Sequence, residues 1–139
     1  MTNFIGNFNV GIAIHACGSS TDLIIEKCIE SKADILISPC CYGSIKENDL
    51  IKYPRSNEFR KSLEINDSGD LITNFDRLTN YADRTELGIE YTETANICMS
   101  LIDSDRLLYL KSKKYSLVQL SKLLPEACTT KNNLILATF

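Results

Sequence analysis

The sequence predicts an α/β fold: a parallel βαβ unit, then helices, then a closing antiparallel strand pair. Three observations carry it. Two short runs rich in Val, Ile and Leu, at residues 9–16 and 34–38, flank a segment of helical periodicity. Two longer segments with helical spacing follow, and two β-rich runs near the end are separated only by a turn. A short run that is apolar at every position suits a parallel strand covered by helices on both faces, whereas strict alternation marks a half-exposed strand.

Residues 9–16 (NVGIAIHA) read as a buried strand that ends at Cys17-Gly18. Thr21 is placed to cap the next helix through its hydroxyl, and Asp22 sets a carboxylate against the positive end of that helix. Over residues 22–33, Ile24, Ile25, Cys28 and Ile29 share one side while Lys27, Glu30, Ser31 and Lys32 fall elsewhere, the pattern of an amphipathic helix. Residues 34–38 read as a second buried strand, stopped at Pro39, which favours an extended residue before it. A right-handed crossover then lays the two strand ends side by side: His15-Ala16-Cys17-Gly18, and Ser38-Pro39-Cys40-Cys41-Tyr42-Gly43.

The polar stretch 44–69 reads as loop with a short helix near residues 58–63. Leu71, Ile72, Phe75, Leu78 and Ala82 place a helix over 70–84. Ala95, Cys98, Leu101, Ile102 and Leu108 place another over 91–113. Residues 115–123 and 134–139 read as strands, with Pro125 and Lys131-Asn132-Asn133 in the turn region, and their adjacency predicts antiparallel pairing.

The 139 residues suit a single domain, 1–139, and 44% hydrophobic with 24% charged residues excludes disorder. A net charge of -3 gives no electrostatic reason to bind a phosphate backbone. No apolar run approaches the roughly 20 residues that span a bilayer, and the start lacks the features of a signal peptide. The expectation is a cytoplasmic chain without membrane contact. Six cysteines, at 17, 28, 40, 41, 98 and 128, include no CxxC pair, so free thiols are expected rather than a disulfide framework.

Chemistry concentrates at the strand ends. His15, the single histidine, is a candidate general base, because imidazole titrates near neutral pH. Cys17, Cys40 and Cys41 are candidate nucleophiles if a helix N-terminus favours their thiolates. With His15 they offer four soft ligand types, yet adjacent cysteines ordinarily point opposite ways and seldom share an ion, so no metal is expected. Pro39, Cys40, Cys41 and Tyr42 are candidate substrate contacts, with the Tyr42 ring placed to stack on a base. Cys28, Cys98 and Cys128 read as packing residues. Arg55, Arg60, Lys61, Lys111, Lys113 and Lys114 read as solvated surface, as do Asp103, Asp105 and Arg106 on their helix.

GIAIHACGSSTDLIIEKCI followed by ADILISPCCYGSI, then ANICMSLIDSDR and PEACTTKNNLILA, closely resembles the methyltransferase-like domain of the glutathione S-transferase C-terminal domain-containing proteins. A looser likeness, confined to HxCG-x-x-TD and the Cys-Cys pair, is to the eukaryotic tRNA 2′-O-methyltransferases. The resemblance implies the second half of a Rossmann-like methyltransferase fold, its cofactor crevice outside the carboxyl ends of the strands. His15, Ala16, Cys17 and Gly18 would form one lip of that crevice. It also implies S-adenosylmethionine as cofactor of the intact parent and RNA as a substrate class. Glutathione binding is not implied, since the transferase part of those proteins has no counterpart here.

The first recognisable strand corresponds to the fourth of that fold, and none of the glycines at 6, 11, 18, 43, 69 and 88 forms a Gly-rich phosphate turn. The domain is therefore expected to be partial, lacking the N-terminal cofactor-binding strands. A strand at 9–16 without its neighbour would leave backbone groups and an apolar face unpaired. The missing N-terminal half, or another chain, is the expected partner. The reading is the C-terminal part of an S-adenosylmethionine-dependent methyltransferase-like protein, inactive as this chain alone. The alternative is a non-catalytic methyltransferase-like scaffold or protein-binding module.

Overall fold

The apolar runs and helical stripes become eight elements in a computed structural model that describes residues 6–65, 71–86 and 89–139. In chain order they are β1 (Val10–Cys17), α1 (Ser20–Ser31), β2 (Asp34–Cys40), α2 (Asn57–Ile65), α3 (Leu71–Ala82), α4 (Ile89–Ser112), β3 (Leu117–Lys122) and β4 (Asn133–Thr138). The short helix expected in the polar stretch is α2. Residues 66–70, read as loop and helix start, lie outside the described residues, as do the side chains of Leu71 and Ile72.

The four strands form one mixed sheet in the order β1-β2-β4-β3. β1 and β2 are parallel, and β4 is antiparallel to both β2 and β3. The predicted βαβ unit and antiparallel closing pair are both present, and the last strand is the one that meets β2.

Alternation along the strands sorts the sheet into two unlike faces. Ile35 and Ile37 of β2 and Ile135 and Ala137 of β4 are buried with Ile25 and Cys28 of α1, Leu110 of α4 and Tyr115. Both α1 and α4 thus cover the same face. On the other, Val10, Ile12 and Ile14 are 51%, 65% and 69% exposed, and Leu36, Leu134 and Leu136 are only half-buried. The sequence expectation of a strand buried on both faces does not hold for β1. Among the described residues it pairs with β2 alone and has helices on one side only.

A second apolar cluster fills the space between α3, α4 and the loop after β2, with Tyr42, Ile45, Ile51, Tyr53, Phe75, Met99 and Ile102 at its centre. Burying each large apolar side chain contributes about 1.5–3 kcal/mol. α4 serves both clusters, Met99 and Ile102 entering the second and Leu110 the first.

Where the clusters meet, α4 is charged and buried. Asp103, Asp105 and Arg106, read from the sequence as helix surface, are at most 1% exposed. Arg106 donates from Nη2 and Nε to the two carboxylate oxygens of Asp22 (2.7 and 3.2 Å) and from Nη1 to Asp103 (2.9 Å). The Tyr53 hydroxyl donates to Asp22, and the Tyr42 hydroxyl and Asn133 amide donate to Asp103, each at 2.7 Å. Asp105 accepts the backbone N–H groups of Arg55 and Ser56, both at 2.7 Å. Arg55, also read as surface, is buried instead, paired with Glu26 and lying 4.3 Å from the Tyr109 ring centroid. Charges survive burial here because nearly every lone pair and proton has a partner. Burial pushes the Asp103 carboxyl above the usual carboxylate range, against the pull of Arg106. Although burial alone disfavours its charge, Arg106 is held well above the usual guanidinium value by Asp22 and Asp103.

Thr21 also departs from expectation. It does not cap α1; its buried hydroxyl donates back to the Ala16 carbonyl at 2.7 Å, while Ser19 holds the N-cap position.

Replacing Arg106 by Met leaves two buried carboxylates facing one another and is expected to cost about 3–5 kcal/mol. The midpoint of urea unfolding measures it. A loss under about 1 kcal/mol would show that the network does not hold the clusters together.

Candidate functional site

The parallel pairing brings the ends of β1 and β2 together, and an irregularity in β1 sets what meets there. Up to Ile14 the register runs opposite Ser38, but Ala16 then faces Pro39 and Cys17 faces Cys40, leaving His15 as an extra residue. Without it Ala16 would stand opposite Cys40. This β-bulge, with His15 at φ 56°, turns Ala16 into the core and brings Cys17 alongside Cys40.

The turn that follows depends on Gly18. Its φ is +51°, and a Cβ there would lie 2.5 Å from the Ser44 carbonyl oxygen, so only glycine fits. Its N–H donates to the Cys40 carbonyl at 3.0 Å, stitching the turn to the end of β2. Ser19 adds a reciprocal pair, accepting from the Lys46 N–H at 2.8 Å and donating to the Lys46 carbonyl at 2.7 Å.

Beyond β2, Cys41 adopts the left-handed conformation at φ 49°, followed by a 3-10 turn at Tyr42–Ser44. Vicinal side chains on an extended strand diverge. Here the turn gathers them: the Cys40 and Cys41 sulfurs are 3.6 Å apart, and Cys17 lies 3.2 Å from Cys40 and 3.3 Å from Cys41. The expectation that adjacent cysteines point apart is corrected by this one residue's backbone. Cys17 is exposed, Cys41 half-buried and Cys40 buried, so the thiol triangle opens to solvent at Cys17.

The three thiols differ in acidity. Hydrogen bonds from Cys40 and then Cys41 hold Cys17 below the ordinary thiol value. Burial pushes Cys40 up. The hydrogen bond with Cys17 does the same to Cys41, with a smaller push from the nearby Asp83 charge.

The other sequence-derived candidates fall differently. His15 is exposed on the bulge, and among the described residues the metal-ligating atoms within 4.8 Å of one another are those of Cys17, Cys40 and Cys41, without the imidazole. Ala16 and Pro39 are buried beside the strand ends. Tyr42 is fully buried with its hydroxyl on Asp103, so its ring is not free to stack on a base. Cys28 and Cys98 are buried as expected, but Cys128 is exposed.

The arrangement defines a mixed α/β module with a thiol-lined strand-end site. No protein-family model matches the chain, and no solved structure matches it. Named relatives do. The chain is 38% identical over 137 residues to the mouse (Mus musculus) glutathione S-transferase C-terminal domain-containing protein, covering 97% of this chain and 20% of that protein. The figures are the same for the human (Homo sapiens) protein. The Drosophila melanogaster homolog is 37% identical over 136 residues, 98% of this chain and 23% of that protein. The chain therefore spans about a fifth of the length of these relatives.

Two measurements check the site. Iodoacetamide at neutral pH should alkylate Cys17 ahead of Cys40, Cys41 and Cys28, because a lowered pKa raises the thiolate fraction, whereas burial lifts Cys28 to about 11. Peptide mass mapping against time reads the order, and faster reaction at Cys28 would contradict it. Gly18→Ala should lower the unfolding free energy, read from urea denaturation, by about 2 kcal/mol or more, since strain at φ +51° adds to the contact with Ser44.

Proposed function

We propose that the chain is the carboxyl-terminal part of a Rossmann-like, S-adenosylmethionine-dependent methyltransferase-like domain, partial over residues 1–139. The observation that carries this reading is the half-covered sheet. Among the described residues β1 lies at an open edge of the sheet, and its face with Val10, Ile12, Ile14, Leu36, Leu134 and Leu136 lacks a helical layer. In the parallel β1–β2 part of the sheet, a strand with β-branched side chains at Val10, Ile12 and Ile14 is of the kind that crossover helices ordinarily cover on both faces. The occupant proposed for that edge and face is a parallel strand with its helices, supplied by the missing N-terminal half or by another chain. The greater length of the named relatives agrees with this.

The site supports the reading in part. The carboxyl ends of adjacent parallel strands are where such folds bind ligands, and His15, Ala16, Cys17 and Gly18 are proposed as one lip of that crevice. The general base proposed is His15, which is exposed on the bulge. Pro39, Cys40 and Cys41 line the neighbouring strand end, and Tyr42 fixes their turn from below. The Ser38 hydroxyl is buried just before them without a hydrogen-bond partner. The residues of this chain do not by themselves fit the cofactor, for they include no Gly-rich turn, so no transfer step is assigned to them. RNA is the acceptor class proposed, on the likeness of HxCG-x-x-TD and the Cys-Cys pair. The compartment proposed is the cytoplasm, where free thiols persist. No helix among the described residues is long and apolar enough to cross a membrane.

Isothermal titration of S-adenosylmethionine into this chain and into the full-length mouse relative tests the proposal. The expected result is no micromolar binding by the chain and micromolar binding by the longer protein. Micromolar binding by the chain alone would overturn the partial-domain reading, and absence of binding by both would favour the non-catalytic scaffold. The open face makes a separate prediction. Ile12→Lys with Ile14→Lys should reduce concentration-dependent light scattering without lowering the unfolding midpoint, because both side chains are exposed.

A further inference from the structure

We propose that Cys17, Cys40 and Cys41 form a three-thiolate site for a soft, thiophilic cation of the Zn2+ class, with its fourth position open to solvent or to an incoming ligand. The proposal stands on sulfur geometry and is independent of the methyltransferase-like reading: a chain that binds no cofactor can still take up the ion.

Three sulfurs on a tetrahedral zinc, with Zn–S near 2.3 Å, lie about 3.8 Å apart. The observed separations of 3.2, 3.3 and 3.6 Å fall a few tenths of an ångström short of that, within reach of small side-chain rotations. Two separate backbone irregularities bring the sulfurs together. The bulge at His15 slides Cys17 by one position to face Cys40, and the left-handed Cys41 turns its sulfur back toward the same point. Packing of the Cys17 thiol as a small apolar group does not require the bulge, since Cys17 is exposed and gains no burial from its placement. Non-glycine residues at positive φ cost about 1–3 kcal/mol and persist where the surroundings enforce them. His15 lies two residues before Cys17, and Cys41 is itself a corner of the triangle.

The ligand set also selects the ion. Three thiolates favour zinc, cadmium or Cu(I) over magnesium or calcium, which take oxygen ligands. Three protein ligands and an exposed corner are the pattern of a metal site that keeps one position for another molecule, not of a closed structural site. Uptake would deprotonate the thiols and release their protons to buffer, with no change of oxidation state in sulfur or metal.

The test uses the chain purified without chelator and kept reduced with a phosphine. Elemental analysis after zinc loading and gel filtration should find one zinc per chain. Titration with Co2+ as a spectroscopic probe should give thiolate-to-cobalt charge transfer in the near ultraviolet, saturating at one equivalent. Cys17→Ser and Cys41→Ser should each weaken zinc binding by more than about 100-fold. Cys128→Ser, exposed and away from the triangle, should leave it unchanged. Cys17 is itself exposed, so its variant should keep the native circular dichroism and make the comparison valid. Failure of the reduced chain to take up stoichiometric zinc, or equal uptake by Cys17→Ser, would overturn the proposal.

Discussion

Arg106 is a guanidinium with no access to water, held between the carboxylates of Asp22 and Asp103. Those partners come from opposite ends of the chain's contacts: Asp22 from the start of α1, Asp103 from one turn earlier in α4. Through Tyr53 and Tyr42 the same carboxylates reach the loop after β2, and through Asn133 they reach the start of β4. Apolar packing in the two clusters is non-directional and would tolerate sliding of α4 along the sheet. The ionic junction does not, because displacement by an ångström would leave charges buried without partners at a cost of several kcal/mol. The network therefore fixes the register in which α1, α4 and the strand ends meet.

The sheet shows the opposite economy. Its inner face is closed by α1 and α4, while its outer face keeps β-branched side chains of β1 in water. Val10, Ile12 and Ile14 are the residues that make β1 read as doubly buried, and they are the ones left exposed. A monomer gains nothing from such a strand compared with one of alternating character. The sequence pattern and the exposure agree if β1 is an interior strand of a larger sheet.

Much of the fold was legible because it is local. Ile24, Ile25, Cys28 and Ile29 state the buried stripe of α1 within six residues, and the crossover rule then places the ends of β1 and β2 together. The ionic junction was not legible, because its partners are distant in sequence. Asp22 and Arg106 are separated by 84 positions, and a charged triplet on a helix reads by default as solvated. A signal was nonetheless present: Arg106 stands one turn beyond Ile102 and one turn before Leu110, on the stripe that both bury. Tyr42 reads as a ring free to stack for the same reason, its partner Asp103 being 61 positions away. The thiol triangle was half visible. Strand pairing put Cys17 near Cys40 and Cys41, but two departures from regular backbone, at His15 and Cys41, were needed to make three sulfurs converge, and neither follows from residue type.

The junction and the thiols are consecutive parts of one mechanical arrangement. Tyr42 follows Cys41 directly, and its buried hydroxyl is fastened to Asp103, so the chain leaving β2 must turn inward immediately after the thiol pair. That turn is what places Cys41 in the left-handed region. On the other strand, Thr21 lies next to Asp22 and anchors the Ala16 carbonyl, one residue before Cys17. Each sulfur-bearing segment is thus tied within one or two residues to a carboxylate that Arg106 holds. A flexible set of thiols would lose conformational entropy each time it gathered around a ligand. Here folding of the buried charges has already imposed that order, so the strand ends present their sulfurs pre-assembled at a corner open to solvent.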